Sequence, residues 1–268
     1  MKQRKPYLTY VLLFLAPLLV LAVLNYWNGV RGVEATLERQ LQDRLNTFTL
    51  DLDRRLEEKE NELRRLSTQE AIKNFLSASG PRADVQLRLA PVLSESVKSI
   101  QLLDQNRQPL LAEGSRQELN SITGDVLETR ELQVAMQGPI LQLTFPILDD
   151  AGSTVRGFLV GQIDLARLVQ DSARVLEKSP ERGNRASSLV IVLDSSKRLL
   201  YHTDHSLEGK TTAEVFQSFD PLAQQAAAHS SGLRTFQHAG QTFLAAYGSI
   251  PRRNIALAVA EQPQLAVA

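Results

Sequence analysis

We predict an α+β protein from this sequence, with a transmembrane helix, a long stalk helix and two antiparallel-sheet modules in tandem. Three features predict this fold class: an uncharged apolar run near the N-terminus, a helical stripe of apolar residues behind it, and two later stretches that share a strand–turn–strand plan. The chain has 268 residues, a length that accommodates two small domains beside a long helix.

The first element is a membrane anchor. The run from Tyr7 to Trp27 contains no charged side chain, and about 20 apolar residues are enough to cross the hydrocarbon core as a helix. A cleaved signal peptide is the alternative, but the run is long for one and no small-x-small cleavage site follows it. Because Lys2, Arg4 and Lys5 precede the run, the positive-inside rule predicts a cytoplasmic N-terminus. Residues 1–30 are therefore expected to be a cytoplasmic tail and an anchor.

The second element is a stalk helix at residues 31–80. Apolar residues recur there at steps of three, four or seven, at Leu37, Leu41, Leu45, Phe48, Leu52, Leu56, Leu63 and Leu66. This period predicts one helix from about Val33 to Ala78, close to a coiled-coil heptad. The stripe packs either on the chain's own domains or on the same helix of a second protomer. We expect the second arrangement, a homodimer through the stalk helix.

Two strand–turn–strand stretches follow. "SIQLLDQNRQPLLA" (Ser99–Ala112) and "SLVIVLDSSKRLLYH" (Ser188–His202) each read as an apolar run, a polar turn and a second apolar run. Superimposing Asp104 on Asp194 aligns the two plans. Each stretch is followed by a polar segment and then by a further hairpin with its own turn residues. The sequence therefore predicts two small antiparallel-sheet modules.

The boundaries follow from these stretches. We assign residues 81–168 to a membrane-distal module, 169–187 to a connecting helix and linker, and 188–262 to a membrane-proximal module. Residues 263–268 are expected to be a truncated lead-in to a missing second span.

Composition and motifs exclude several functions. The chain has no cysteine, which excludes disulfides and thiolate chemistry. The formal net charge is zero, so no basic field attracts nucleic acid. The sequence contains no nucleophile elbow, phosphate-binding glycine loop or zinc-protease motif. We expect no enzymatic activity, no cofactor and no nucleic-acid partner.

One stretch, "LLYHTDHSLEGK" (Leu199–Lys210), concentrates histidine and aspartate. A catalytic zinc requires three converging ligands, but strand alternation places His202 and Asp204 on one face and His205 on the other. The stretch is also rich in turn-forming residues. We predict a structural turn between a strand and a helix, with Gly209 supplying a bend. A metal site and a ligand or pH-sensitive contact are the alternatives.

The anchor, the stalk and the tandem modules together resemble the double Cache sensor domain, a PAS-like fold found outside the membrane in bacterial receptors. "VLDSSKRLLYHTDHSLEGKT" (Val192–Thr211) and "GFLVGQIDLARL" (Gly157–Leu168) carry the local likeness. The resemblance implies two PAS-like modules, of which the distal one binds a small molecule between its sheet and a capping loop and helix. It also implies a protein of the bacterial inner membrane whose main part is periplasmic.

The resemblance also suggests ligand contacts. Amino-acid-binding members have a tyrosine, an arginine, a tryptophan and an aspartate around the pocket. Asp164 matches the aspartate that meets the ligand's amino group, although the distal module has neither tryptophan nor tyrosine. Arg130 is the candidate carboxylate clamp. A strand-end acid facing water and a surface arginine are the respective alternatives.

These features predict the extracytoplasmic ligand-sensing region of a membrane-bound signal-transduction receptor. A small molecule would bias helix packing toward a cytoplasmic output domain that this chain lacks. The alternative is a single-span structural component of a pilus or secretion platform. The repeated aspartate–turn–LLYH plan with its Gly-Lys loop favours the receptor.

Overall fold

The computed structural model describes residues 5–77, 80–115, 133–137, 139–177, 189–194, 196–215 and 218–262. Within these ranges the chain begins with the helices α1 (Lys5–Ser67), α2 (Glu70–Leu76) and α3 (Arg82–Leu89). The next elements are β1 (Val97–Asp104), β2 (Pro109–Gly114), β3 (Gln133–Gln137), β4 (Ile140–Leu148), β5 (Val155–Asp164) and α4 (Leu165–Glu177). The remaining ones are β6 (Leu189–Leu193), β7 (Leu199–His202), α5 (Thr212–Val215), α6 (Asp220–Ala227), β8 (Gly232–His238), β9 (Gln241–Ile250) and β10 (Ile255–Glu261).

The helix α1 confirms the long stalk helix, but it ends earlier than predicted. Gln69 has an extended backbone with φ −68° and ψ 135°. The hydroxyls of Ser67 and Thr68 donate to carbonyls of the last turn at 2.8 and 3.0 Å, which satisfies groups that a helix end leaves unpaired. The predicted continuous helix to Ala78 is therefore two helices with a break between them.

The helix α1 also includes the run from Tyr7 to Trp27. Among the residues that the structure describes, no helix is long and apolar enough to cross a membrane. Most side chains of this run lie outside the described residues. The anchor therefore stays a prediction.

Two antiparallel sheets follow the first three helices. The first sheet has the strand order β2-β1-β5-β4-β3, and the second has the order β7-β6-β10-β9-β8. The orders become identical when β1 is matched with β6, β5 with β10 and β4 with β9. The structure thus confirms the α+β class with a long helix and two antiparallel sheets.

The same turn opens both sheets. The side chains of Asp104 and Asp194 each accept a hydrogen bond from the backbone N–H four residues later, at 2.7 and 2.9 Å. Arg107 and Lys197 both adopt the left-handed region, with φ 65° and 62°. The superposition of Asp104 on Asp194 therefore matches equivalent turns.

One face of each sheet packs on α1. The first sheet contributes Leu143 and Leu159, and the second contributes Val192 and Leu257. The helix contributes side chains that are at most 3% exposed: Leu41, Leu45, Phe48, Leu52, Leu56, Leu63 and Leu66. Each fully buried leucine stabilises the fold by roughly 2 kcal/mol.

This packing corrects the interpretation of the leucine stripe. We expected it to contact a second protomer, but the chain's own two sheets cover it. Periodicity identifies the buried side of a helix without identifying what buries it. Leu50, on another side of α1, is 71% exposed. A homodimer through the stalk stays a prediction, and it would have to use a surface other than the stripe.

Candidate ligand-binding site

The face of the first sheet that points away from α1, called the outer face below, is built in rows across β1, β5 and β4. Side chains alternate between the two faces of a strand, so residues paired across the sheet share a face. The register gives the rows Ser99–Gln162–Gln142, Gln101–Val160–Thr144 and Leu103–Phe158–Pro146. The first two, called the polar rows, hold amides and hydroxyls, whereas the third is apolar.

The polar rows are shielded from solvent. The exposed fractions are 2% for Ser99, 8% for Gln101, 2% for Gln142, 1% for Thr144 and 1% for Gln162. Ser99 Oγ donates a hydrogen bond to Gln162 Oε1 at 2.6 Å. Thr144 Oγ1 is buried without a hydrogen-bond partner in the described part of the chain. A buried, unpaired hydroxyl costs about 1–3 kcal/mol. A ligand that forms a hydrogen bond with this hydroxyl would therefore recover part of that free energy.

Sequence reasoning missed Gln162 and Thr144. Alternating polar residues in an antiparallel strand ordinarily face water, and "LQLTF" in β4 fits that pattern. The available signal was an amide or hydroxyl at alternate positions of three strands that pair with one another. That signal marks a shared face but does not reveal that the face is covered.

Asp164, predicted from the resemblance to contact a ligand, lies where β5 meets α4. Its Oδ1 accepts a hydrogen bond from the backbone N–H of Arg167 at 3.0 Å, as a helix-capping carboxylate does. Its Oδ2 lies 3.2 Å from Lys98 Nζ. Arg130 lies outside the described residues. Ligand contacts by Asp164 and Arg130 therefore stay predictions.

The histidine-rich stretch forms a turn, as predicted. Asp204 donates its backbone N–H to His202 Nδ1 at 2.8 Å, and its side chain accepts from Ser206 N at 3.0 Å at the start of a 3₁₀ turn. Burial lowers the pKa of His202, and the hydrogen bonds from Ser206 lower the pKa of Asp204. Gly209 has φ +83°, which confirms the predicted bend. These residues shape the connection after β7.

A cleft of about 270 Å³ lies between the start of α4 and the end of β7. Its charged lining is already paired, since Lys98 lies near Asp164 and His205 Nδ1 lies 2.8 Å from Glu208 Oε1. Arg167 pairs with Glu95 nearby. The charged side chains that line the cleft thus already have partners, whereas Thr144 Oγ1 of the outer face has none among the described residues.

The outer face of the second sheet is mostly apolar, although it also buries His202 and Tyr247. The strand β10 contributes Ala256, Ala258 and Ala260 to one cluster with Leu222 of α6 and Phe219, the residue that precedes this helix. The small alanine side chains leave room for the helix, so its apolar side chains fill the space over the strands. Packing of this kind stabilises a fold. Apolar side chains of α6 thus cover the β10 strand of the second sheet, whereas the matched strand β5 of the first sheet carries the buried amide Gln162.

Two ion pairs join α1 to the end of the second sheet. Arg44 pairs with Glu261 at the end of β10, and Arg253 Nη2 lies 2.5 Å from Glu60 Oε2. Burial alone would raise the pKa of Glu60, but hydrogen bonds from Arg64 and Arg253 outweigh it and hold that pKa below its usual value. The helix is thus attached to the second sheet by charge as well as by packing.

No family model and no curated protein sequence matches the chain. Solved structures share its fold. The periplasmic sensory domain of the Campylobacter jejuni chemoreceptor Tlp1 is similar with a TM-score of 0.63 and 13% identity, over 87% of this chain and 96% of that one. The ligand-binding domain of the Pseudomonas fluorescens chemoreceptor CtaA, in complex with L-alanine, has a TM-score of 0.60 and 12% identity, over 87% and 100%.

A third similar structure is the ligand-binding domain of the Pseudomonas aeruginosa amino acid chemoreceptor PctC in complex with GABA. Its TM-score is 0.55 at 16% identity, over 84% of this chain and 99% of that one. At such identities the likeness shows the fold. The fold implied by the resemblance to the double Cache sensor domain is therefore confirmed.

Proposed function

We propose that this chain is the extracytoplasmic ligand-sensing region of a membrane-bound signalling receptor, and that it binds its ligand without converting it. The observation that carries the proposal is the position of two adjacent residues of β5. Gln162 belongs to the buried polar rows on the outer face of the sheet. A methyl group at its neighbour Gly161, on the opposite face, would overlap Leu63 of α1. One strand therefore contacts the candidate site with one side and the stalk helix with the other.

This arrangement suggests how binding reaches the stalk. A ligand against the polar rows would favour one position of β5 within the sheet. Since Leu63 packs directly on Gly161, a displacement of β5 requires α1 to move or to repack. Packed interfaces of this kind switch between discrete arrangements, and a ligand shifts their populations by its difference in affinity.

A second contact extends the route along α1. The pairs Arg44–Glu261 and Glu60–Arg253 tie this helix to β10 and to the turn before it. A shift of α1 against the first sheet therefore strains its attachment to the second sheet. We place the transmitted motion in α1 and β10, which these ion pairs connect.

The N-terminal part of α1 supports a membrane location. Leu19, Val20 and Leu21 are 60%, 58% and 56% exposed, and three consecutive residues point in directions about 100° apart around a helix. A helix that exposes apolar side chains in several directions is stable in lipid. In this proposal Tyr7–Trp27 anchors the chain in a bacterial inner membrane, with a cytoplasmic N-terminus and the remainder periplasmic.

The module boundaries belong to the same proposal, with residues 81–168 forming the ligand-binding module and 188–262 the module nearer the membrane. The structures of CtaA and PctC hold L-alanine and GABA, which supports a small-molecule ligand for this chain. Their sensory role also favours the receptor over a secretion-platform component.

The test is a thermal-unfolding screen of the full chain in lipid nanodiscs against a broad metabolite library. Ligand at 100 times its Kd adds about 2.7 kcal/mol to the free energy of unfolding, so a specific ligand raises the melting temperature. We expect at least one such ligand, and we expect Gln162→Leu to abolish its effect. A library without any stabilising compound, or a ligand that is indifferent to changes in the polar rows, would contradict the proposal.

A further inference from the structure

We propose, resting on the proposed function, that the ligand presents an uncharged hydrogen-bonding group, a hydroxyl or a carboxamide, to the polar rows and an apolar part to the third row. The expected class is a small neutral polyol, sugar or amide with one apolar side. This class differs from the amine recognition by Asp164 that the resemblance implies.

The polar rows extend over an area comparable to that of one small molecule. Neighbouring strands lie about 4.8 Å apart, and residues two apart along a strand are separated by about 6.8 Å. The polar rows cross β1, β5 and β4, so they cover a patch of about 10 Å by 7 Å. Leu103 and Phe158 of the third row lie at its edge and are 1% and 0% exposed. The patch therefore changes from polar to apolar along the strands.

The chemistry of the polar rows is neutral. Their five polar side chains are amides and hydroxyls, groups that both donate and accept hydrogen bonds. The most specific requirement comes from Thr144 Oγ1, which is buried and has no hydrogen-bond partner among the described residues. A hydroxyl or an amide of the ligand satisfies that oxygen and itself requires only a neutral partner.

A charged group is a poorer occupant of the same place. A buried ion needs an opposite charge together with hydrogen bonds. The carboxylate at the end of this face is Asp164, which is paired with Lys98 and caps α4. An ammonium group would have to displace Lys98 to reach it. Neutral recognition leaves that ion pair and that helix cap intact.

The experiment compares three ligand classes on the full chain in nanodiscs, with titration calorimetry after a thermal screen. The classes are neutral sugars, polyols and carboxamides, then free amino acids, then organic carboxylates, all at equal concentration. We expect stabilisation by neutral compounds, and weaker binding for the deoxy analogue of each hit.

The variants locate the contact. Thr144→Val should weaken binding about tenfold, while the melting temperature of the unliganded protein should stay the same or rise, because the substitution removes an unsatisfied buried hydroxyl. Thr144→Ser should retain binding. Thr235→Val, on the exposed strand β8 of the second sheet, is the matched control and should leave binding unchanged. Asp164→Asn should change the affinity less than Thr144→Val does.

The outcomes separate this inference from the function on which it rests. Binding confined to amino acids or carboxylates and lost in Asp164→Asn would overturn the neutral class while supporting ligand sensing. Neutral binding that survives Thr144→Val unchanged would overturn the assignment to the polar rows. A screen in which none of the three classes binds would overturn both proposals.

Discussion

The two sheets share one strand order, but their outer faces differ in chemistry. The strand register matches the row Ser99–Gln162–Gln142 of the first sheet with Leu189–Ala260–Ala245 of the second. In the second sheet the apolar side of α6 covers this row. The first sheet buries amides instead, and beside them Thr144 Oγ1 has no hydrogen-bond partner in the described part of the chain. The same strand order thus forms a packed core in the second sheet and a candidate binding surface in the first.

This difference suggests a division of work. A sheet sealed by its own helix gains stability and offers no room to a ligand. A sheet with buried polar groups gives up stability in the free state, and it recovers some when a ligand completes the hydrogen bonds. We infer that the second sheet supports α1, while the first sheet responds to the ligand.

The largest expected effect comes from exchanging the chemistry of matched positions. Ala260→Gln places an amide beneath α6, where it is both too large and unpaired, and should lower the free energy of unfolding by about 3 kcal/mol. Gln162→Ala removes the partner of the Ser99 hydroxyl and should cost about 1 kcal/mol. Urea titration of the full chain in detergent measures both changes. Equal losses would mean that the two faces do not differ as described.

The next test concerns how closely α1 approaches each sheet. A methyl group at Gly161 would overlap Leu63, whereas one at Gly248 of β9 would lie 3.4 Å from Leu45 Cδ2, an ordinary contact. Gly161→Ala should therefore destabilise the fold by about 2 kcal/mol through overpacking. Gly248→Ala should be neutral or stabilise it by less than about 1 kcal/mol.

The same pair of variants tests the transmission route. Gly161→Ala should also change ligand affinity, because it alters the contact between β5 and the stalk, and Gly248→Ala is its control. Thermal unfolding with and without ligand separates the two effects. If both variants behave alike, the approach of α1 to the first sheet is not special.

Much of the fold could be predicted because it depends on local patterns. The repeated turns at Asp104 and Asp194 follow from an aspartate before a polar turn, and the leucine period of the stalk follows from helix geometry. The partner of that stripe could not be predicted. An apolar stripe has the same period whether a second protomer or the chain's own sheets cover it.

The candidate site was harder to predict for a related reason. Asp164 stands out in the sequence because charges are conspicuous, yet it caps a helix and pairs with Lys98. Gln162 and Thr144 look like ordinary water-facing residues of antiparallel strands. Their burial depends on what lies against the sheet, and strand periodicity carries no information about that.

The smallest expected effect concerns the charged attachment of α1 to the second sheet. The folded-state pKa of Glu60 lies below its ordinary value of 4.5 because hydrogen bonds from Arg64 and Arg253 outweigh its burial. A carboxylate with a lowered pKa stabilises the fold fully above its unfolded pKa, and this contribution is lost as the pH falls through the folded value. Glu60→Gln should therefore cost about 1 kcal/mol at pH 7.

The pH dependence sharpens this prediction. As the pH falls below 4.5, the unfolding free energies of the wild type and Glu60→Gln should converge, because the wild-type carboxylate becomes protonated. Glu57→Gln, on an exposed side of α1, is the control and should follow the wild type at every pH. A constant difference between the wild type and Glu60→Gln from pH 7 to pH 3 would show that the Glu60 charge does not hold α1 to the second sheet. The helix α1 would then be attached to the second sheet by packing and by the Arg44–Glu261 pair.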